Sequence, residues 1–138
     1  MSNVLGLHPD AISDLEEIRR CAGNSVAADI VVALEELETD PNLQANLLDK
    51  GFGTDARGHP TANYGVKTWA RLWQGGRDIW RLRCFALERR GPNYRVIYAY
   101  LRTQQEFLVL AIVPKDSIDY DDPNDALARR IRAAYDAL

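Results

Sequence analysis

The spacing of apolar residues changes character along this chain, and each change predicts an element. From Asp10 to about Cys21, Ala11, Leu15, Ile18 and Ala22 recur at helical spacing. Acidic residues come early in that stretch and Arg19 and Arg20 late, the order that suits a helix dipole. Pro9 is tolerated at the start because the first N–H groups of a helix lack an intrahelical partner. Val26, Ile30, Ala33, Leu34 and Leu37 mark a second amphipathic helix over about 26–38, with Gly23-Asn24-Ser25 to stop the first and cap the second. The short apolar stretch Asn3–Leu7 ahead of them reads as an opening strand. Asp40-Pro41 restarts a shorter helical turn with Leu43, Leu47 and Leu48 inward, closed by Lys50-Gly51.

From Trp80 the period shortens to two, and three consecutive strands are predicted before Tyr120. In the first, over 80–87, Trp80, Leu82 and Cys84 share one face, and Arg81, Arg83 and Phe85 the other. In the second, Tyr94, Val96 and Tyr98 oppose Arg95, Ile97 and Ala99. The third, from Phe107 to Val113, is almost wholly apolar, which suits a central strand buried on both faces. Arginines of neighbouring antiparallel strands therefore converge on one face of a small sheet, where the function is expected. The segment Val66–Trp73 fits a short helix or a strand; the turn signal at Gly75-Gly76 favours the strand. Residues 51–65, rich in Gly, Pro and polar side chains, read as a long loop, a kind that is usually functional or disordered. After Tyr120, Asp122 as N-cap and Pro123 at N1 open a terminal helix with Leu127, Ile131, Ala134, Tyr135 and Leu138 on one face. The expected fold is α+β, one domain over 1–138: a twisted antiparallel β-sheet packed against an N-terminal αα-hairpin, with an additional C-terminal helix.

Composition changes this picture in one respect. The formal net charge of −3 hides an asymmetry. Residues 1–50 carry ten Asp/Glu and three Lys/Arg, whereas residues 57–115 carry eleven Lys/Arg and three Asp/Glu. A basic central third on an acidic protein fits a localised anion site; it equally fits a solvated arginine-rich face balanced by acidic helices. No apolar run approaches the roughly 20 residues that span a bilayer, and the N-terminus lacks the pattern of a signal peptide, so a cytoplasmic protein with no membrane partner is expected. Cys21 and Cys84 have no metal-type spacing and read as small buried hydrophobes. Neither His59 with Asp55 or Cys84, nor the glycines of 51–76, make a metal or phosphate-loop set, so no cofactor and no metal are expected.

The element order and three pieces of text resemble the RelE/ParE superfamily of bacterial toxins from type II toxin–antitoxin modules. The pieces are Ile-Trp-Arg-Leu-Arg (79–83), Asn-Tyr-Arg-Val-Ile-Tyr (93–98) and Val-Leu-Ala-Ile-Val-Pro-Lys-Asp-Ser-Ile-Asp-Tyr (109–120), following an opening strand and amphipathic helix in family order. The likeness runs from Val4 to Tyr120; the loop at 51–65 and the terminal helix make the chain longer than a minimal member. In the mRNA-cleaving branch, basic residues of the central strands hold the scissile phosphate, and a further basic residue and a tyrosine complete the site. The resemblance maps these roles onto Arg81, Arg83, Arg95, Lys115 and Tyr120. It implies an mRNA interferase that inhibits translation, acting on mRNA, on or off the ribosome, and neutralised by a cognate antitoxin protein. The alternative is a ParE-like inhibitor that binds DNA gyrase without cleaving RNA; a third reading keeps the fold with another activity or none.

The chemistry is consistent with the first of these. Metal-free RNA cleavage needs a 2′-hydroxyl aligned on its own phosphate, a proton acceptor and compensation of transition-state charge. Guanidinium forks at Arg81, Arg83 and Arg95 match phosphate oxygens and stay charged. Proton transfer falls to Tyr120 or Lys115, if the positive cluster lowers its pKa, or to Asp119. The competing structural roles are a sheet-edge residue for Tyr120 and a cross-strand ion pair for Arg83. Trp69, Trp73 and Trp80 suit either base stacking or the core, with Trp80 assigned to the core.

Overall fold

The computed structural model describes residues 4–138. The chain opens with β1 (Val4–Leu7), α1 (Pro9–Ala22), α2 (Asn24–Thr39) and α3 (Pro41–Asn46). It continues with β2 (Tyr64–Thr68), α4 (Ala70–Gln74), β3 (Ile79–Cys84) and α5 (Phe85–Glu88). β4 (Tyr94–Leu101), β5 (Glu106–Pro114) and α6 (Ala126–Asp136) complete it. The result is a mixed α+β fold around one five-stranded sheet of order β1-β5-β4-β3-β2. Every pairing is antiparallel except that of β1 with β5, which is parallel, so the sheet is mostly rather than wholly antiparallel.

The alternation read from the sequence decides which face of the sheet each element covers. Trp80, Leu82, Val96, Tyr98, Phe107 and Val109 join Ile18 of α1 and Ile30, Leu34 and Leu37 of α2 in one apolar layer. The opposite face supplies Ile79, Ile97, Ala99, Leu110 and Ala111, which pack with Trp69, Leu72, Ile118 and Ile131 of α6. β5 lies between β1 and β4 and contributes to both layers, as its unbroken apolar text predicts. A register shift between Ile97 and Tyr98 passes over Leu110, giving the β4–β5 pair a bulge near its middle.

α1 begins where His8 accepts a hydrogen bond from the Asp10 N–H at 3.0 Å, with Pro9 in the first turn and Arg19 and Arg20 in the last. Gly23 alone joins it to α2 at φ +101°, a conformation that costs a residue with a Cβ. Asn3 of the expected opening strand lies outside the described residues.

Four expectations need correction. The stretch 66–73 is neither one strand nor one helix: β2 ends at Thr68 and α4 starts at Ala70, because Trp69 and Leu72 bury at helical spacing. The strand over 80–87 stops at Cys84; the Phe85 N–H turns to the Asn63 carbonyl at 2.8 Å and a helical turn follows. The terminal helix is capped by Asp125, which accepts from the Ala128 N–H at 3.0 Å, while Asp122 closes a turn on Asn124 instead; Leu138 is exposed beyond it. Cys21 is exposed and only Cys84 is partly buried. Trp80 is core at 3% exposure and Trp69 joins it at 2%, whereas Trp73 stays outside.

Gly65 of β2 sits opposite Arg83 in the β2–β3 register. A Cβ there would stand 2.6 Å from Cζ of Phe85, so the missing side chain is the space the ring occupies. Gly65→Ala is expected to lower stability by about 1–3 kcal/mol through overpacking, read as a fall in the urea midpoint at unchanged slope. A midpoint equal to that of the unsubstituted chain would show the ring to be freely movable.

Candidate functional site

Arg81, Arg83 and Arg95 project from the face opposite α1 and α2, as the period-two reading requires. Arg83 and Arg95 are register partners across β3 and β4, and Arg81 faces Ile97 two residues away. There the chain after β5, residues 115–121, and the start of α4 at Ala70 and Arg71 border an open cleft of about 570 Å³. Arg81, Arg95, Lys115, Tyr120, Trp69 and Arg71 line it, with Asp116, Asp119 and Asp121 on the rim. The structure thus brings Arg81, Arg95, Lys115 and Tyr120 together in one cavity, and Arg83 stands behind them.

Tyr120 is fixed at the cleft wall by two residues, Trp69 and Arg81. The indole N–H of Trp69 donates to its carbonyl at 3.1 Å, and the two rings meet edge to face at 4.8 Å. On the other side the Arg81 guanidinium carbon lies 4.3 Å above the phenol ring centre. Both the Tyr120 hydroxyl and Arg81 Nε are buried without a hydrogen-bond partner among the described residues. Burial pushes the Tyr120 pKa up, and the neighbouring Arg81 and Arg95 charges only partly offset it. The expected lowering by the positive cluster is therefore not what happens: desolvation outweighs the cations, and the phenol keeps its proton at neutral pH.

The three arginines are not equivalent. Arg83 is held bidentate by Glu88, Nε to Oε2 at 3.1 Å and Nη2 to Oε1 at 2.7 Å, with its guanidinium 4.7 Å over the Phe85 ring. Its role as an ion-pair partner is realised, with a residue of the following helical turn rather than one across the strand. Arg95 is 8% exposed; its Nη1 donates to Asn93 Oδ1 at 2.8 Å and lies 3.7 Å from Glu88 Oε2. Burial lowers the Arg95 pKa, and the adjacent Arg83 charge adds to that lowering. Arg81 has no carboxylate within ion-pair distance among the described residues, so its charge is uncommitted. Lys115 is exposed at the rim, its N–H bonded to the Asn93 carbonyl at 3.0 Å as the β4–β5 ladder ends.

Two contributors escaped the sequence reading. Glu88 fell in a predicted turn, and alternation through Leu87 would have put position 88 on the wrong face; the helical turn α5 returns its carboxylate to the arginines. Arg71 lay in the segment of undecided structure. A second, smaller hollow of about 100 Å³ adjoins the cleft through Arg81 and Arg95, between Arg83, Lys67, Gly65 and Thr54. No group of His, Cys, Asp and Glu side chains suited to hold a metal ion occurs among the described residues.

Two solved structures are similar to this chain. One is the RelE toxin of E. coli, a double arginine-to-alanine mutant in the free state, at 15% identity and a TM-score of 0.49, covering 94% of this chain and 98% of its own. The other is an archaeal RelE–RelB complex from Pyrococcus horikoshii, at 14% identity and a TM-score of 0.46, covering 86% and 100% respectively. No family model matches the chain, and no curated protein matches it.

Proposed function

We propose that this protein is the toxin of a toxin–antitoxin module, a metal-independent RNA endonuclease whose site is the cleft of Arg81, Arg95, Lys115 and Tyr120. The observation that carries this reading is one basic cleft that gathers Arg95, Lys115, Tyr120 and an Arg81 with no ion-pair partner among the described residues, where Arg81 Nε and the Tyr120 hydroxyl lie buried without a hydrogen bond. Leaving such donors unsatisfied costs about 1–3 kcal/mol each unless a ligand with acceptor oxygens completes them. A phosphodiester is such a ligand. A flat protein-binding surface has no use for recessed donors.

In this mechanism Arg81 and Arg95 hold the non-bridging oxygens of the scissile phosphate, and Lys115 adds charge from the rim. The 2′-oxygen forms its bond to phosphorus as its proton passes to a rim carboxylate, and the bond to the 5′-oxygen breaks as that oxygen takes a proton from solvent, leaving a cyclic phosphate and a 5′-hydroxyl. Negative charge builds on the pentacoordinate phosphorus, and the fixed guanidinium groups compensate it without reorganising. The raised pKa of Tyr120 makes it a hydrogen-bond donor to the phosphate or the leaving oxygen, not the base. Carboxylates of the rim, Asp119 among them, are the acceptors for the 2′-hydroxyl proton. Arg83 keeps Glu88 and Arg95 in place. The antitoxin is expected to cover this basic face with a segment that folds on binding.

Induced expression in bacteria, with the 5′ ends of cellular mRNA mapped, tests the reading. Growth arrest with new mRNA ends, both abolished in Arg95→Ala, is the expected result. Arrest with trapped gyrase and intact mRNA would reject it.

Tyr120→Phe separates function from structure within that experiment. The hydroxyl makes no well-formed hydrogen bond and sits beside the Arg81 guanidinium, so stability should change by no more than about 1 kcal/mol in either direction. Cleavage should nevertheless fall by about tenfold to a hundredfold as the donor is lost. A variant that melts earlier and cleaves as before would assign the hydroxyl a structural role only.

A further inference from the structure

The small hollow beside the cleft shares Arg81 and Arg95 with it and adds Thr54, Gly65 and Lys67, which the proposed cleavage step does not use. Lys67 stands on β2, and its Cα is the register partner of Arg81, so both side chains leave the same face of the sheet. Gly65, two residues earlier, gives up its side-chain space to the Phe85 ring, over which Arg83 lies, so it borders the recess with backbone alone. Thr54 closes the far side. It is held there because the 51–54 turn is stitched along the outer edge of β2: the Val66 N–H donates to the Phe52 carbonyl at 2.9 Å, and the Gly51 N–H donates to the Val66 carbonyl at 2.9 Å. An isolated bridge from Thr54 to Pro60 secures the loop on its other flank. The long polar loop therefore becomes a fixed wall of a basic recess.

We propose that this recess, formed by Lys67, Thr54 and the near side of Arg81, is a second phosphate subsite that takes the phosphodiester next to the scissile one; the proposal rests on the RNA-cleaving reading of the main cleft. Size agrees with a small ligand group: the recess measures about 100 Å³ beside a main cleft of about 570 Å³. Charge agrees, since every ionisable residue that lines it is basic: Lys67, Arg81, Arg83 and Arg95. Chemistry agrees as well. Arg81 belongs to both hollows, so its guanidinium can bridge the scissile phosphate in the cleft and the next one beside the Lys67 ammonium. Lys67 is exposed at the sheet edge and has no ion pair among the described residues, so its charge is free for a ligand. The subsite would make this protein measure its substrate as a strand with at least two consecutive phosphates.

Binding of non-cleavable RNA to the full chain tests this independently of turnover. The probes are a 2′-O-methyl dinucleoside monophosphate, with one phosphate, and the trinucleotide with two. The wild type should bind the two-phosphate ligand about tenfold more tightly, and Lys67→Met should abolish that preference while leaving the one-phosphate affinity unchanged. On a longer 2′-O-methyl oligonucleotide, the slope of log affinity against log salt should fall by about 0.7 in Lys67→Met, the value of one phosphate contact on a single strand. Thr54→Val should give a smaller loss of the same preference. Equal weakening of both short ligands, or no change in either, would overturn the subsite while the main cleft stands. Failure of the wild type to bind any of the three RNAs would overturn both.

Discussion

Arg81→Ala is expected to abolish most cleavage, by about 10²–10³-fold, the loss seen when one preorganised donor to a developing charge is removed. The size follows from its lack of commitments. Arg81 is the one strand arginine here with no carboxylate partner among the described residues, and it borders both hollows. Its contacts with the fold are modest. The stacking on Tyr120 at 4.3 Å is the main one, and a cation–π contact of this kind contributes about 0.5–2 kcal/mol. The variant should therefore remain folded, with a small loss of melting temperature. Arg81→Lys should recover little, because a point charge cannot replace a planar fork. Single-turnover cleavage by purified Arg81→Ala and Arg83→Ala, each checked by thermal melting, makes the comparison decisive. Arg83 spends its donors on Glu88, so its loss should be about tenfold milder in rate and harsher in stability. Equal rate losses in the two variants, with equal stability, would remove the distinction between a phosphate ligand and a supporting ion pair.

That distinction marks the limit of what alternation along the chain could reveal. A period of two places Arg81, Arg83 and Arg95 on one face with certainty, since a single-residue slip would bury three arginines against α1 and α2. It also gives the central position of β5, because only a strand covered on both sides carries Leu110, Ala111, Ile112 and Val113 in succession. Period alone does not reveal where it breaks. Cys84 to Glu88 is apolar enough to continue a strand, and the turn into α5 depends on the Phe85 N–H finding the Asn63 carbonyl, a contact 22 positions away. Glu88 consequently stood outside the site in the sequence and inside it in the fold. Tyr120 shows the same dependence: Trp69, 51 residues earlier, fixes its backbone, and burial rather than the nearby cations sets its proton affinity. The start of α6 shifted for a local reason. Asp125 accepts both the Ala128 N–H and the Asp119 N–H, and one carboxylate serving two backbone donors outcompetes the earlier Asp122-Pro123 signal.

Glu88→Gln is expected to move stability and anion binding in opposite directions. Among the described residues Glu88 is the one carboxylate that Arg83 and Arg95 share, and its side chain is 14% exposed. Neutralising it leaves two adjacent arginines, one of them buried, with their mutual repulsion unbalanced. Breaking a buried pair in this way costs about 3–5 kcal/mol; the third of the Arg83 side chain that reaches water reduces the expected figure to about 2–4 kcal/mol. The amide keeps the shape of the carboxyl, so the loss reports charge rather than a cavity. The same change frees Arg95, whose Nη1 lies 3.7 Å from the Glu88 carboxylate, to give its full charge to a ligand at the cleft. Phosphate or a non-cleavable RNA should then bind about threefold to tenfold more tightly, and should restore a correspondingly larger share of the lost stability as ligand is added. Denaturant melts with and without inorganic phosphate read both effects in one experiment. A variant that is destabilised and binds phosphate no better would show Glu88 to be a structural counter-ion alone; one that gains affinity would show that the protein holds its phosphate site partly neutralised until substrate displaces the carboxylate from Arg95.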